Sequence, residues 1–113
     1  MPNEKGKPVA IVERYSGTDT SYKTVAVWKI GQMWELDHGR LHRIYLESSS
    51  YTKTRFRFSA LGKILFKDLE LISSLTLTFP ENELPRGEEI KVETKSSDGT
   101  AIVVTGALTG VEY

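Results

Sequence analysis

Cysteine is absent from the 113 residues, which excludes disulfide frameworks, thiolate metal centres and cysteine nucleophiles. No apolar run approaches the ~20 residues a membrane-spanning helix needs. An excess of one charge sign is missing too, since 15 Lys+Arg balance 15 Asp+Glu. A non-specific nucleic-acid binder is normally basic overall, so nucleic acid is not an expected partner. The chain lacks a Gly-x-Ser-x-Gly nucleophile elbow and any glycine loop that could cradle phosphate. No Ser, His and Asp stand out as a triad, and paired carboxylates carry no specificity in a chain with 15 acids. The expectation is a protein that is not an enzyme and needs no cofactor. The first eight residues carry charge without the apolar stretch of a secretory signal, so a cytoplasmic chain is expected.

Short apolar-alternating runs separated by Gly, Ser, Asp and Pro clusters make up the remainder. Residues 54–60 alternate cleanly, with Phe56, Phe58 and Ala60 on one side and Arg55, Arg57 and Ser59 on the other. A period of two is the mark of a half-buried strand. Residues 9–15, 24–30, 41–47, 74–79, 90–95 and 100–108 read the same way, and residues 32–36 resume as a strand after Gly31. Residues 61–75 fit either two short strands or one helical face; the lack of caps favours strands. Asp37-His38-Gly39 reads as a turn, and Asp98-Gly99 as the tip of a hairpin. About eight strands at this spacing predict an all-β fold, a single antiparallel β-sandwich or jelly roll. Residues 1–8 form an N-terminal extension and residues 9–113 the β-sandwich domain.

Few constellations could carry chemistry. His38 and His42 are four apart, but on a strand that spacing spans about 13 Å, too far for one metal. Glu81, Glu83, Glu88 and Glu89 crowd a loop of residues 80–89, without the Asp ladder of a calcium loop and with Arg86 among them. No metal site is expected. Trp28 shares its strand face with Ala26 and Ile30 and reads as core. Trp34 is the better candidate for exposure; with Tyr45 and Tyr51 it could form an aromatic platform, the alternative reading of a carbohydrate-binding module.

Charge is segregated along the chain. Residues 38–67 hold seven bases and one acid, whereas residues 68–98 hold eight acids and three bases. Lys53, Arg55 and Arg57 form a basic row, and Glu81, Glu83, Glu88 and Glu89 an acidic arm stiffened by Pro80 and Pro85. Two uses are open: the arm of one copy lies on the row of the next, with Met33, Trp34 and Leu84 supplying apolar contact, or the row of Lys53, Arg55 and Arg57 touches a polyanion. Without either, the segments mix in space and the charges partly cancel.

Residues 51–113 contain Thr54-Arg-Phe-Arg-Phe, Ser74-Leu-Thr-Leu-Thr-Phe-Pro80, Asp98-Gly-Thr, Thr105-Gly and Gly110-Val-Glu. With these pieces the stretch resembles the small all-β accessory proteins of tailed phages. The resemblance implies a non-enzymatic structural protein of a virion, in capsid decoration or cementing or in a tail. It implies protein partners, namely a capsid or tail protein and further copies of itself, as a homo-oligomer such as a trimer.

Overall fold

The computed structural model describes residues 6–31, 38–60, 62–79 and 83–113. Nine strands form among them: β1 (Lys7–Gly17), β2 (Lys23–Lys29), β3 (His38–Ser48), β4 (Thr54–Ala60), β5 (Lys63–Leu69), β6 (Leu75–Thr78), β7 (Glu83–Pro85), β8 (Glu89–Ser96) and β9 (Ile102–Glu112). They make two antiparallel sheets. The first runs β1-β9-β3-β6, with β7 beside β3; the second runs β2-β8-β4-β5. The all-β sandwich expected from the alternation is the fold observed.

Alternation explains the layering. Along β4 every second residue is buried, and Phe56 and Phe58 are wholly inside. The same period buries Ile90, Val92 and Thr94 on β8, and Ile102, Val104 and Leu108 on β9. These side chains meet Trp28, Ile30, Ile44 and Leu46 in one core between the sheets. Buried hydroxyls close their own hydrogen bonds where the chain crosses between sheets. Ser48 Oγ lies 2.6 Å from Thr54 Oγ1, and Ser96 Oγ donates to the Thr100 carbonyl. Satisfied in this way, they cost little to bury.

Glycines on β9 let the sheets approach. A Cβ at Gly110 would collide with the Arg40 carbonyl oxygen and the Trp28 ring, and one at Gly106 with Val25. Trp28 therefore lies in a slot floored by Gly110, and its Nε1 donates to Glu112 Oε2 at 2.5 Å. Gly39 belongs to the same slot, close to Ile30 and Trp28. The expected turn at His38-Gly39 is thus a strand start, with Gly39 selected for proximity and not for a positive φ. Asp37 lies outside the described residues.

Several other expectations change. Asp98-Gly99 does not tip a hairpin, because β8 and β9 sit in different sheets. Only Gly99 takes a positive φ there, while Asp98 caps the Thr100 amide at 3.0 Å. Of the ambiguous segment, the described residues 62–74 hold one strand, β5, with two irregularities against β4, and Leu75 begins β6. One coincides with Asp68, whose φ of 55° is the left-handed conformation. Such bulges blunt an edge strand. The expected polar loop is partly strand: β7 pairs with β3, and Leu84 is 5% exposed in the core. Leu84 is therefore not an exposed apolar contact, because β7 alternation turns it inward. Lys7 and Pro8, assigned to the extension, belong to β1. The expected strand over residues 32–36 lies outside the described residues.

Candidate functional site

The basic row exists as geometry. Lys53 closes the 3-10 turn Tyr51–Lys53, and Arg55 and Arg57 follow on the outward face of β4. Each meets an acid from the same chain. Lys53 Nζ lies 2.7 Å from Asp98 Oδ2, Arg55 Nη2 3.5 Å from Glu70 Oε1, and Arg57 forms a two-pronged bond to Glu93 at 2.8 and 3.0 Å. Lys95 adds a contact to Asp68 at 3.4 Å. Segregation in sequence becomes pairing in space: Lys53 and the bases of β4 meet Glu93 of β8 and the loop acids Glu70 and Asp98, while Lys95 of β8 meets Asp68 of β5. A partner docking on this row must displace or join existing ion pairs.

Tyr22 sits at the centre of that face. Arg57 lies 4.3 Å and Lys95 4.7 Å from its ring centroid. Its hydroxyl donates to Asp68 Oδ1 at 2.6 Å and accepts from the Asp68 amide. The left-handed turn at Asp68 aims both groups at the phenol. Burial, then the Asp68 hydrogen bond, pushes the Tyr22 phenol up to about 12. The same bond, helped by Lys95, holds the Asp68 carboxyl below its ordinary range. Lys53 and Thr100 do likewise for Asp98.

The Tyr22 shift has a defined sign. A raised phenol pKa means the fold prefers the neutral ring, so the stabilisation is complete below pH 10.0 and lost as pH rises through about 12. In an alkaline titration followed by phenolate absorbance, Tyr22 is expected to ionise last, and Tyr22→Phe to remove that step. A wild-type titration with no tyrosine delayed beyond the usual value would contradict the arrangement.

Among the described residues of the acidic arm, Glu83, Glu88 and Glu89 have different surroundings. Glu83 Oε2 accepts from the Tyr113 hydroxyl at 2.6 Å. Tyr113 stacks on His38 at 5.8 Å and lies under the Arg40 guanidinium at 5.4 Å. Glu89 begins β8, 4.0 Å from Lys91, and Glu88 lies in the turn before it. Glu81, Met33 and Trp34 lie outside the described residues. Tyr45 faces outward from β3 in the first sheet, whereas Tyr51 lies in the link to the second. His42 occupies the bulge of β3 against β9, and His38 the start of that strand.

Two features leave no local signal in the sequence. Tyr22 owes its surroundings to Asp68, Arg57 and Lys95, which are remote in the chain. The exposed apolar side chains Ile64, Leu65 and Ile72 lie in the segment whose periodicity fits either a helix or strands. Ile72 is 96% exposed, Ile64 54% and Leu65 53%. Half-buried Phe66, Leu69, Leu71, Leu75 and Leu77 pack against the core along the same stretch of chain.

No family model matches the chain, and no curated protein matches it in sequence. Among solved structures, the chain resembles a protein of the cyanophage Pam1 capsid asymmetric unit. The TM-score is 0.53 at 15% identity, covering 94% of this chain and 85% of that one. A second resemblance is to FlhE, with a TM-score of 0.48 at 14% identity, covering 95% of this chain and 97% of that one. At such identities the first likeness establishes the shared fold.

Proposed function

We propose that the chain is a non-enzymatic structural protein that works through protein–protein contacts, as a repeated component of a larger assembly such as a phage virion, in capsid decoration or in the tail. The observation that carries the reading is the exposed apolar set on β5 and the loop after it. Ile72 at 96% exposure after β5, with Ile64 at 54% and Leu65 at 53% on β5 itself, leaves apolar side chains in water that a partner would cover. The bulges of β5 argue against open-ended strand addition, so the contact is one of side chains. The fold shared with a capsid-unit protein is the reason for choosing a virion as the assembly.

The test is quantitative mass spectrometry of purified particles from the genome that encodes the chain. The expected result is a fixed stoichiometry to the major shell or tail protein. Leu65→Asp and Ile72→Asp are expected to abolish incorporation. Exposed substitutions of this kind change stability by about 0.5 kcal/mol or less, so a folded variant that fails to incorporate isolates the contact. Particles without the chain would refute the proposal.

A further inference from the structure

The outward face of the first sheet is chemically unlike that of the second. On β9 alternate residues are buried, from Ile102 to Glu112. The residues turned outward are therefore Val103, Thr105, Ala107, Thr109 and Val111, all small and uncharged. β1 and β3 flank this column in fixed register. Arg14 and Glu47 both pair with Thr105, Val12 and Tyr45 both with Ala107, and Ala10 and Arg43 both with Thr109. Val12 is 65% exposed, and Val103 also belongs to the exposed apolar residues. Arg14 and Glu47 border one shallow depression of about 250 Å³. Unlike the bases of the β4 row, neither has an ion-pair partner among the described residues.

We propose that this face is a twofold contact between two copies of the chain, with the axis running along β9. The proposal deepens the contact reading above by naming one partner, and it stands on a different face from β5. A half-turn about β9 exchanges the positions of β1 and β3. Arg14 of each copy then lies over Glu47 of the second copy, so both unpaired charges acquire partners at once. Val12 of each copy meets Tyr45 of the second, large against small, as facing layers pack best. The β9 column meets itself, and its short side chains allow the sheets to close face to face at the usual separation of about 10 Å. A twofold across the strands would instead set Tyr45 on Tyr45 and Arg14 on Ala10, leaving Arg14 unpaired.

The footprint fixes the strength. Three strands of this length cover roughly 35 by 14 Å, or about 500 Å² per copy, near the lower bound for a specific interface. The dimer is therefore weak, reversible and weakened further by salt.

Sedimentation equilibrium of the whole chain at low ionic strength tests it. Wild type is expected to dimerise. Arg14→Glu and Glu47→Arg each turn two attractive contacts into two repulsive ones, and each is expected to weaken dimerisation by about tenfold or more. An equimolar mixture of the two variants is expected to re-form dimers, because each supplies the charge the other lacks. Arg43→Glu is expected to leave dimerisation unchanged. All three side chains are outward, and circular dichroism verifies the fold. A strictly monomeric or trimeric wild type overturns the proposal, as does indifference to Arg14→Glu or a mixture that fails to pair. A chain that enters particles yet stays monomeric in solution refutes the twofold contact alone and leaves the assembly reading standing.

Discussion

Phe58→Ala is expected to remove about 3–5 kcal/mol of stability, the range for deleting a buried aromatic ring. Phe58 has no exposed surface. Its ring centroid lies 5.6 Å from those of both Phe66 and Phe79. Phe66 belongs to β5 of the second sheet, and Phe79 follows β6 of the first. One ring thus ties the two sheets together along the side where β5 and β6 run. A domain of this size has a total stability of about 5–15 kcal/mol, so the variant should retain little margin at room temperature. Phe58→Leu keeps most of the volume and should cost less than about 1.5 kcal/mol. Urea unfolding followed by far-ultraviolet circular dichroism measures both. A loss below about 1 kcal/mol for the alanine variant would show that the aromatic cluster is not the junction.

Gly110→Ala is expected to be nearly as damaging, at about 3 kcal/mol, for the opposite reason. Phe58→Ala leaves a void, whereas Gly110→Ala adds one carbon where there is no room. That carbon would fall under 3.0 Å from the Arg40 carbonyl oxygen and from two carbons of the Trp28 ring. A side chain could swing aside, but the Arg40 carbonyl belongs to β3, the hydrogen-bonded neighbour of β9. Overpacking costs typically about 1–3 kcal/mol, and the upper end applies where the obstruction is backbone. Displacing Trp28 would also strain its bond to buried Glu112. The neighbouring outward substitution Thr109→Ala should lie within about 0.5 kcal/mol of wild type. Equal midpoints for the Gly110 and Thr109 variants in thermal denaturation would disprove the slot.

The fold was legible wherever one face of a strand is buried and the other wet. Phe56, Phe58, Ile90, Val92, Leu75 and Leu77 announce their strands, because burial on one side imposes a period of two. Legibility failed where a residue was chosen for something remote in the chain. Gly39 looks like a turn glycine, but its lack of a side chain serves Trp28 and Ile30. Asp98-Gly99 looks like a hairpin tip, although β8 and β9 part company into different sheets. Leu84 looks exposed among glutamates and prolines, but a three-residue pairing with β3 turns it inward. For the surfaces, the row of Lys53, Arg55 and Arg57 was readable as a row. Its pairing with Asp98, Glu70 and Glu93 was not, because ion pairs between separate segments leave no local pattern. The Arg14–Glu47 relation is similarly hidden: it needs the register of three strands about Thr105.

The order in which strands find partners has a consequence for the nascent chain. Among the described strands, β1 hydrogen-bonds only to β9, and β2 only to β8. The first two strands to leave the ribosome thus wait for the last two, with their edges unsatisfied for nearly the whole of synthesis. β4 and β5 are adjacent in sequence and can zip at once, but neither sheet is complete until residues 89–112 have emerged. Pairing across such separations is slow, because the loop must close before any contact rewards it. For that interval the Val9–Ile11–Val12 stretch of β1 is an adhesive segment. Chains made close together on one message would meet through it before each could fold on itself, so yield in the cell should depend on translation density and on chaperone capacity.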